Sequence, residues 1–316
     1  MRTYLLKRSL SLIPTLVGVT ILVFLMVRMI PGTVVEQMLG AEARATEETK
    51  AQMRAFFGLD QPLHIQYAQW AGGLMRGDMG KSWRLGLPVS QLIGNGLGVT
   101  LQLAAGALLI ALLVGIPLGI LSAVKENTPL DHFARIASLF SLSIPIFWQA
   151  AMLILAFSIW FDWVPPVEYA SPAKDPIANL KQMILPCLVL GTVVAAQVMR
   201  MTRASLLEVM RQDYVRTARA KGLAESIVVS RHAFKNSLIP IITVVGVQIG
   251  YLLGGAVVTE EVFTLPGVGR LVLNAVYQRD YPLIQGTILF IAALFMLSNL
   301  LVDLCYAYLD PRIRYE

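Results

Sequence analysis

Charge is scarce in this chain. Asp, Glu, Lys and Arg make up 15% of its 316 residues against 56% hydrophobic, whereas a soluble domain carries roughly 25% charged residues. The shortage is concentrated in six apolar runs, residues 9–30, 99–124, 136–161, 182–199, 237–259 and 281–302, and five of them hold no Asp, Glu, Lys or Arg at all. Arg28 is the exception, near the end of its run, where a long side chain can reach toward water. Each run meets the roughly 17 to 25 apolar residues that a membrane-crossing helix requires. Only two cysteines, Cys187 and Cys305, and three scattered histidines, His64, His132 and His232, are present. They make neither a disulfide framework nor a metal-ligand spacing, so the cysteines read as packing residues and no metal is expected.

The Lys and Arg distribution sets an orientation, because these residues are retained on the cytoplasmic side of short loops. With the N-terminus inside, the inner segments carry Arg2, Lys7, Arg8, Lys125, Arg135, Arg312, Arg314 and eight more between 200 and 236. The short outer segments carry Lys174, Lys181, Arg270 and Arg279 alone. Both termini are therefore expected in the cytoplasm, with residues 1–30 forming a cytoplasmic start and the first span. A cleaved signal peptide fits poorly. The first run exceeds a typical signal core, and Ala41-Glu42-Ala43 lies far beyond its end. The net charge of +6 comes largely from the 200–236 loop, which positive-inside retention explains, and no nucleic-acid partner is expected.

Residues 31–98 hold six acidic and six basic side chains and read as a small extracytoplasmic domain. Thr46, followed by Glu47, Glu48, Lys50 and Arg54, marks the capped start of a short helix, with Phe56 and Phe57 near its end and Gly58 as its stop. Gly80-Lys81-Ser82 invites comparison with a phosphate-binding loop, but the glycine that motif needs five residues before Gly80 is Met75. No nucleotide site and no catalytic constellation emerge, so an enzyme is the weaker class. The near absence of ionisable groups within the spans also weighs against a self-sufficient secondary transporter, which uses such groups to carry a coupling ion. That class, with a stand-alone channel, stays open as the alternative. Pro117, Pro145, Pro186 and Pro240, with Gly115, Gly119, Gly191, Gly246, Gly250, Gly254 and Gly255, predict kinked and closely packed helices.

The 200–236 loop is the most informative segment. Residues 205–221 read as a polar helix continuing out of the fourth span, stopped by Gly222, and residues 224–235 as a second short helix. An exposed helix pair of this kind suits a partner's groove.

Here the chain resembles the permease subunits of binding-protein-dependent ABC importers, and within them the dipeptide, oligopeptide and nickel branch. The resemblance is carried by Asp213-Tyr214-Val215-Arg216-Thr217-Ala218-Arg219-Ala220-Lys221-Gly222-Leu223, Arg231-His232-Ala233 and Asn236-Ser237-Leu238-Ile239-Pro240. The wider family pattern has Glu-Ala-Ala where this chain has Arg216-Thr217-Ala218, and Ile239 stands for its leucine before Pro240. Further matching words run along nearly the whole chain: Pro31-Gly32, Gly58-Leu59-Asp60-Gln61-Pro62-Leu63, Gly77-Asp78-Met79-Gly80, Ser143-Ile144-Pro145-Ile146-Phe147-Trp148, Phe263 to Arg270, Arg279-Asp280-Tyr281-Pro282 and Asp310-Pro311.

The resemblance implies an all-α integral protein of the bacterial inner membrane, with six transmembrane helices in the type I importer permease fold and residues 99–316 as its core. It implies a second, homologous permease, two cytoplasmic ATPase subunits that hold the ATP and magnesium, an extracytoplasmic solute-binding protein, and surrounding lipid. This chain would carry no cofactor and no ATPase site of its own. By the same carry-over the coupling residues are Arg216, Thr217, Ala218, Arg219, Lys221, Gly222 and Glu225. The cargo is expected to be di- or oligopeptides, with nickel, glutathione or another small solute as the alternative.

Overall fold

In a computed structural model, the described residues are 2–29, 35 and 46–309; of residues 2–9, 254, 255 and 305–309 only the backbone is described. Pro31-Gly32, Ala41-Glu42-Ala43, Asp310-Pro311 and the terminal Arg312 and Arg314 lie outside them, as do the side chains of Arg2, Lys7, Arg8 and Cys305. The described chain is built of helices: α1 (Arg2–Met29), α2 (Glu47–Phe56), α3 (Leu63–Met75), α4 (Val89–Val124), α5 (Pro129–Ser143), α6 (Ile146–Phe161), α7 (Pro176–Met210), α8 (Asp213–Ala220), the one-turn α9 (Glu225–Ile227), a π-helical segment (Val228–Phe234), α10 (Lys235–Gly255), α11 (Val257–Val262), α12 (Val268–Gln278) and α13 (Tyr281–Leu309). Among the described residues, five are long and apolar enough to cross a membrane, or six when the bent pair α5 and α6 counts as one span.

Several helices exceed the apolar runs that announce them. The run 99–124 is the latter part of α4, which starts at Val89; 182–199 is the middle of α7, which spans Pro176–Met210; 281–302 continues to Leu309. Apolarity marks only the part of a helix that lipid or core surrounds, whereas backbone hydrogen bonding carries the helix on into polar surroundings. The run 237–259 belongs to α10, which begins at Lys235 and ends at Gly255, with Ala256 separating it from α11.

The span expected over 136–161 is bent by 107° between α5 and α6, at one of the prolines that predict kinked helices. Pro145 is the cause. It cannot donate a backbone hydrogen bond and disfavours helical geometry at its predecessor, and Ile144 is extended at φ −89°, ψ 129°. Gln149 satisfies carbonyls freed at the break, its side-chain amide donating to Ser141 O and Ile144 O at 2.7 and 3.0 Å.

The chain divides into two compact units. The first comprises Thr100–Leu265 and the chain from Phe295 onward. Its centre is α7, which packs against α5, α6 and α10. Close approach of α4 to α7 depends on Gly115 and Gly119, where an added Cβ would lie 2.7 Å from Ala195 O and 2.8 Å from Met199 O. Small residues let two backbones approach at such positions. Cys187 is buried on the same side of α7, near Leu103 O.

The second unit comprises Arg2–Val99 and Pro266–Leu294. Its core joins Val27, Val89, Ile93, Val268, Ala275, Tyr281, Leu283 and Ile284, with Leu59, Met79 and Trp83 packed against them. The α2 cap forms as the sequence predicts, Thr49 N–H donating to Thr46 Oγ1 at 3.3 Å. Arg28 is half-buried; it donates to Gln66 Oε1 at 3.1 and 2.7 Å and lies 3.7 Å from the centre of the Phe24 ring. Ser82, in the phosphate-loop lookalike, instead donates its hydroxyl to buried Asp280 at 2.5 Å. The same carboxylate accepts backbone N–H bonds from Trp83, Arg84 and Leu283.

Candidate functional site

The loop over 200–236 differs from the expected helix pair in two ways. The helix predicted over 205–221 is two helices. α7 ends at Met210, Gln212 is extended at φ −74°, ψ 149°, and α8 begins at Asp213. The segment predicted as a second helix over 224–235 starts as α9, widens into the π-helical segment and runs without a break into α10. The second arm of the loop therefore continues into α10 as one uninterrupted helical stretch.

Residue spacing explains the local fold of α8. Val215 and Ala218, three apart, fall on one face and bury against Val228, with Val209 beside them. The opposite face is left to polar side chains. Gly222 then ends the helix in a left-handed turn at φ +78°. Gly222 N–H donates to Arg219 O at 2.9 Å and Leu223 N–H to Ala218 O at 3.4 Å, the pair of bonds that closes a helix through a left-handed glycine. An added Cβ at Gly222 would meet no atom within 4 Å. Its required property in this chain is thus backbone conformation.

The seven residues expected to couple separate into three groups. Arg216, Thr217, Lys221 and Gly222 lie exposed at the surface of the loop. Arg216 and Asp213 approach at 3.7 Å, both almost fully exposed, and Thr217 Oγ1 donates to Asp213 O at 2.9 Å. Arg219 and Glu225 form a second group, bidentate at 3.1 and 2.6 Å. They clip α8 to α9 across the glycine turn, and the Glu225 carboxylate holds the Arg219 guanidinium above its ordinary value. Ala218 is the third, 6% exposed and part of the loop's own core. Tyr214, Leu223 and Ile227 add exposed apolar surface to the loop, so it offers guanidinium and ammonium groups interleaved with apolar contacts.

The loop is anchored to its unit in two places. Val229 and Ala233 of the π-helical segment bury against Ala123 and Leu206. One turn earlier on α7, Arg203 donates to Asp131 at 2.7 and 2.8 Å. Ser122 Oγ donates to the same carboxylate at 2.5 Å and Asn127 N–H at 3.0 Å. Arg211 and Glu126 add an exposed contact at 3.3 Å. This cluster escapes a reading of the sequence, which counts Arg203 only among the loop's charges. The available signal was Asp131 just after Pro129 at a helix start, beside an otherwise uncharged run.

A bundle of apolar helices that presents an exposed basic helix–turn–helix on a rod continuous with a membrane helix is the architecture of a transport permease. The chain belongs to the family of binding-protein-dependent transport system inner membrane components, whose profile matches residues 115–315, preceded by the N-terminal domain of the same components over residues 1–104. It is 40% identical to the dipeptide transport system permease protein DppB of Escherichia coli K12 and 40% identical to DppB of Alkalihalophilus pseudofirmus, each over the full length of both chains. A putative peptide transport system permease protein of Brucella abortus is 41% identical, again over both full lengths. Among solved structures, an amino acid ABC transporter crystallised with histidines superposes with a TM-score of 0.52 at 18% identity, covering 71% of this chain and 95% of that one. The fold is that of a type I ABC permease, and the protein is a multi-pass component of the inner membrane.

Proposed function

We propose that this chain forms half of the translocation pathway of an ATP-driven importer for di- and oligopeptides delivered by a solute-binding protein. The observation that carries the reading is full-length identity of 40–41% to relatives named as dipeptide or peptide permeases. The other half is a homologous second permease, and two ATPase subunits supply the hydrolytic site with ATP and magnesium. This chain has no ATPase site of its own. Its N- and C-termini and the 200–236 loop face the cytoplasm, in keeping with the Lys and Arg distribution.

Arg216, Thr217, Lys221 and Gly222 make the exposed contact with the ATPase, together with Tyr214, Leu223 and Ile227. Arg219 and Glu225 hold the two arms of the loop in one geometry, and Ala218 supports it from inside. ATP binding closes the ATPase dimer and moves the loop; the continuous α9, π-helical and α10 rod carries that movement into the bundle, and hydrolysis resets it. A ligand moves such an equilibrium only through its different affinity for the two states, and a near-complete switch needs about 5.5 kcal/mol of difference.

The test is purification in mild detergent, identification of the co-purifying chains by mass, and reconstitution in liposomes with a labelled dipeptide. Recovery of a second permease and ATPase subunits, with ATP-dependent dipeptide uptake, is the expected result. Uptake of nickel or glutathione without dipeptide would replace the cargo. Transport by the lone polypeptide would overturn the reading.

A further inference from the structure

Three cavities follow one another along the seam between α5 and α7. The first, of about 510 Å³, is lined by Arg135 and Ser138 of α5, Gln197 and Arg200 of α7, and Val244 of α10. Ser138 also lines the second, of about 180 Å³, which shares Ser141 and Thr192 with the third, of about 450 Å³. The third reaches Trp148 of α6 and Leu188 of α7. From Leu188 to Arg200 along α7 is about 18 Å at the helical rise, more than half of a hydrocarbon core of about 30 Å.

Polar groups recur along this row at depths inside the apolar runs: Ser138, Ser141, Thr192 and Gln197. Ser141 Oγ is buried with no hydrogen-bond partner among the described residues. Gln197 pairs with Gln248 of α10, one contact for an amide that has two donors and an acceptor. Hydrocarbon would leave such groups unsatisfied, whereas water or a polar solute satisfies them, and polar groups at this depth mark solute pathways. At the end of the row, Arg135 directly precedes the run 136–161 and Arg200 directly follows the run 182–199. Both are exposed, and neither forms an ion pair among the described residues. Arg203, at the same end, is held by Asp131, and no described acidic side chain lines any of the three cavities.

We propose that this row is the cytoplasmic part of the cargo's route on this subunit, and that Arg135 and Arg200 receive the peptide's terminal carboxylate. The inference rests on the peptide-importer reading and deepens it by naming groups that meet cargo. Peptides of differing sequence share a backbone, an ammonium and a carboxylate. A cationic end without acids repels the ammonium and attracts the carboxylate, which a guanidinium fork holds through two parallel hydrogen bonds. The hydroxyls and the Gln197 amide behind it meet peptide N–H and C=O groups. Because both arginines are exposed, water and salt screen their hold on the carboxylate, and the cargo leaves into the cytoplasm, as any conducting pathway requires.

Thr192, exposed and common to the two deeper cavities, is the reporter, and Ala204, exposed in the first cavity, is a second one. The assembled complex carrying Thr192→Cys or Ala204→Cys, with Cys187→Ala and Cys305→Ala, is placed in inside-out vesicles and treated with a membrane-impermeant anionic methanethiosulfonate. Modification of this chain is read by mass spectrometry. Labelling is expected, slowed by alanyl-alanine. Alanyl-alaninamide, which lacks the carboxylate, should need about ten-fold more for the same protection, the yield of one charge-assisted hydrogen bond. Arg135→Gln with Arg200→Gln should raise the alanyl-alanine requirement by the same factor and leave that of the amide unchanged; Arg135→Lys with Arg200→Lys should restore most of the difference. ATP-driven uptake of alanyl-alanine by the unaltered complex with its binding protein is measured alongside. No uptake overturns the importer reading and this inference with it. With uptake intact, reporters that stay unlabelled show that lipid or the second permease covers the row. Equal protection by acid and amide, or an unchanged requirement in the glutamine variant, removes the carboxylate contact. Each of these overturns this inference alone.

Discussion

Arg203 grips both oxygens of Asp131, Nε at 2.7 Å from Oδ1 and Nη2 at 2.8 Å from Oδ2, and the carboxylate is fully buried. Seventy-two residues separate the two in the chain. Ser122 and Asn127 complete the carboxylate's hydrogen bonds, so the end of α4, the start of α5 and the last turns of α7 meet at one group. The basic loop leaves α7 two turns beyond this point, and its geometry is inherited from it.

Asp131 is buried and Arg203 18% exposed, so removing the carboxylate leaves a partly shielded guanidinium without its partner, at a cost of about 1–3 kcal/mol. Asp131→Ala is expected to lower the thermal midpoint of the detergent-solubilised protein substantially, and Asp131→Ala with Arg203→Met to recover part of the loss. A double variant as unstable as the single one would show that Asp131 acts through Ser122 and Asn127 instead.

The same substitution is expected to cost more at Gly119 than at Gly222. An added Cβ at Gly119 would stand 2.8 Å from Met199 O, a backbone atom that cannot rotate away, so Gly119→Ala should cost about 1–3 kcal/mol by forcing α4 from α7. At Gly222 there is open space, and Gly222→Ala should cost only about 1 kcal/mol, for its φ of +78°. Thermal unfolding of the two variants side by side checks the ordering.

Function should reverse that ordering. Gly222→Val preserves membrane insertion but distorts the turn between α8 and α9, and peptide-stimulated ATP hydrolysis by the assembled complex is expected to fall at least ten-fold. Stimulation at the level of the unaltered protein would remove the loop from the coupling role.

The Arg219 and Glu225 pair is exposed, and exposed pairs contribute about 0–1 kcal/mol. Glu225→Gln should therefore leave the thermal midpoint nearly unchanged while loosening the angle between the loop's arms. Reduced coupling of ATP hydrolysis to uptake, with partial rescue by the reversed pair Arg219→Glu with Glu225→Arg, is the expected result. A large drop in stability with coupling intact would contradict it.

Much of this arrangement is readable along the chain, because its signals are local. A run without charge can be buried only in lipid or core, and Thr46 ahead of two glutamates starts a helix wherever it lies. Gly222 after a run of helix formers stops one. The break at Gln212 carries no such mark. Gln212 is neither proline nor glycine, and α8 separates from α7 because Val215 and Ala218 gain burial against Val228, a contact made through the fold. The bend at Pro145 was marked by the proline, but its 107° angle is set by the packing of α5 and α6 against α7.

The amino-acid sequence alone determined the medium this protein occupies, the number of apolar runs, the site of the basic loop and the family words within it. Each depends on residue type and short spacing. Tertiary structure decided which charges are spent and which are available. Arg203 and Arg200 are three residues apart on one helix, yet one is bound to a carboxylate from another helix and the other opens onto a cavity. That difference arises from where α5 crosses α7, a relation between segments some seventy residues apart that no local pattern encodes.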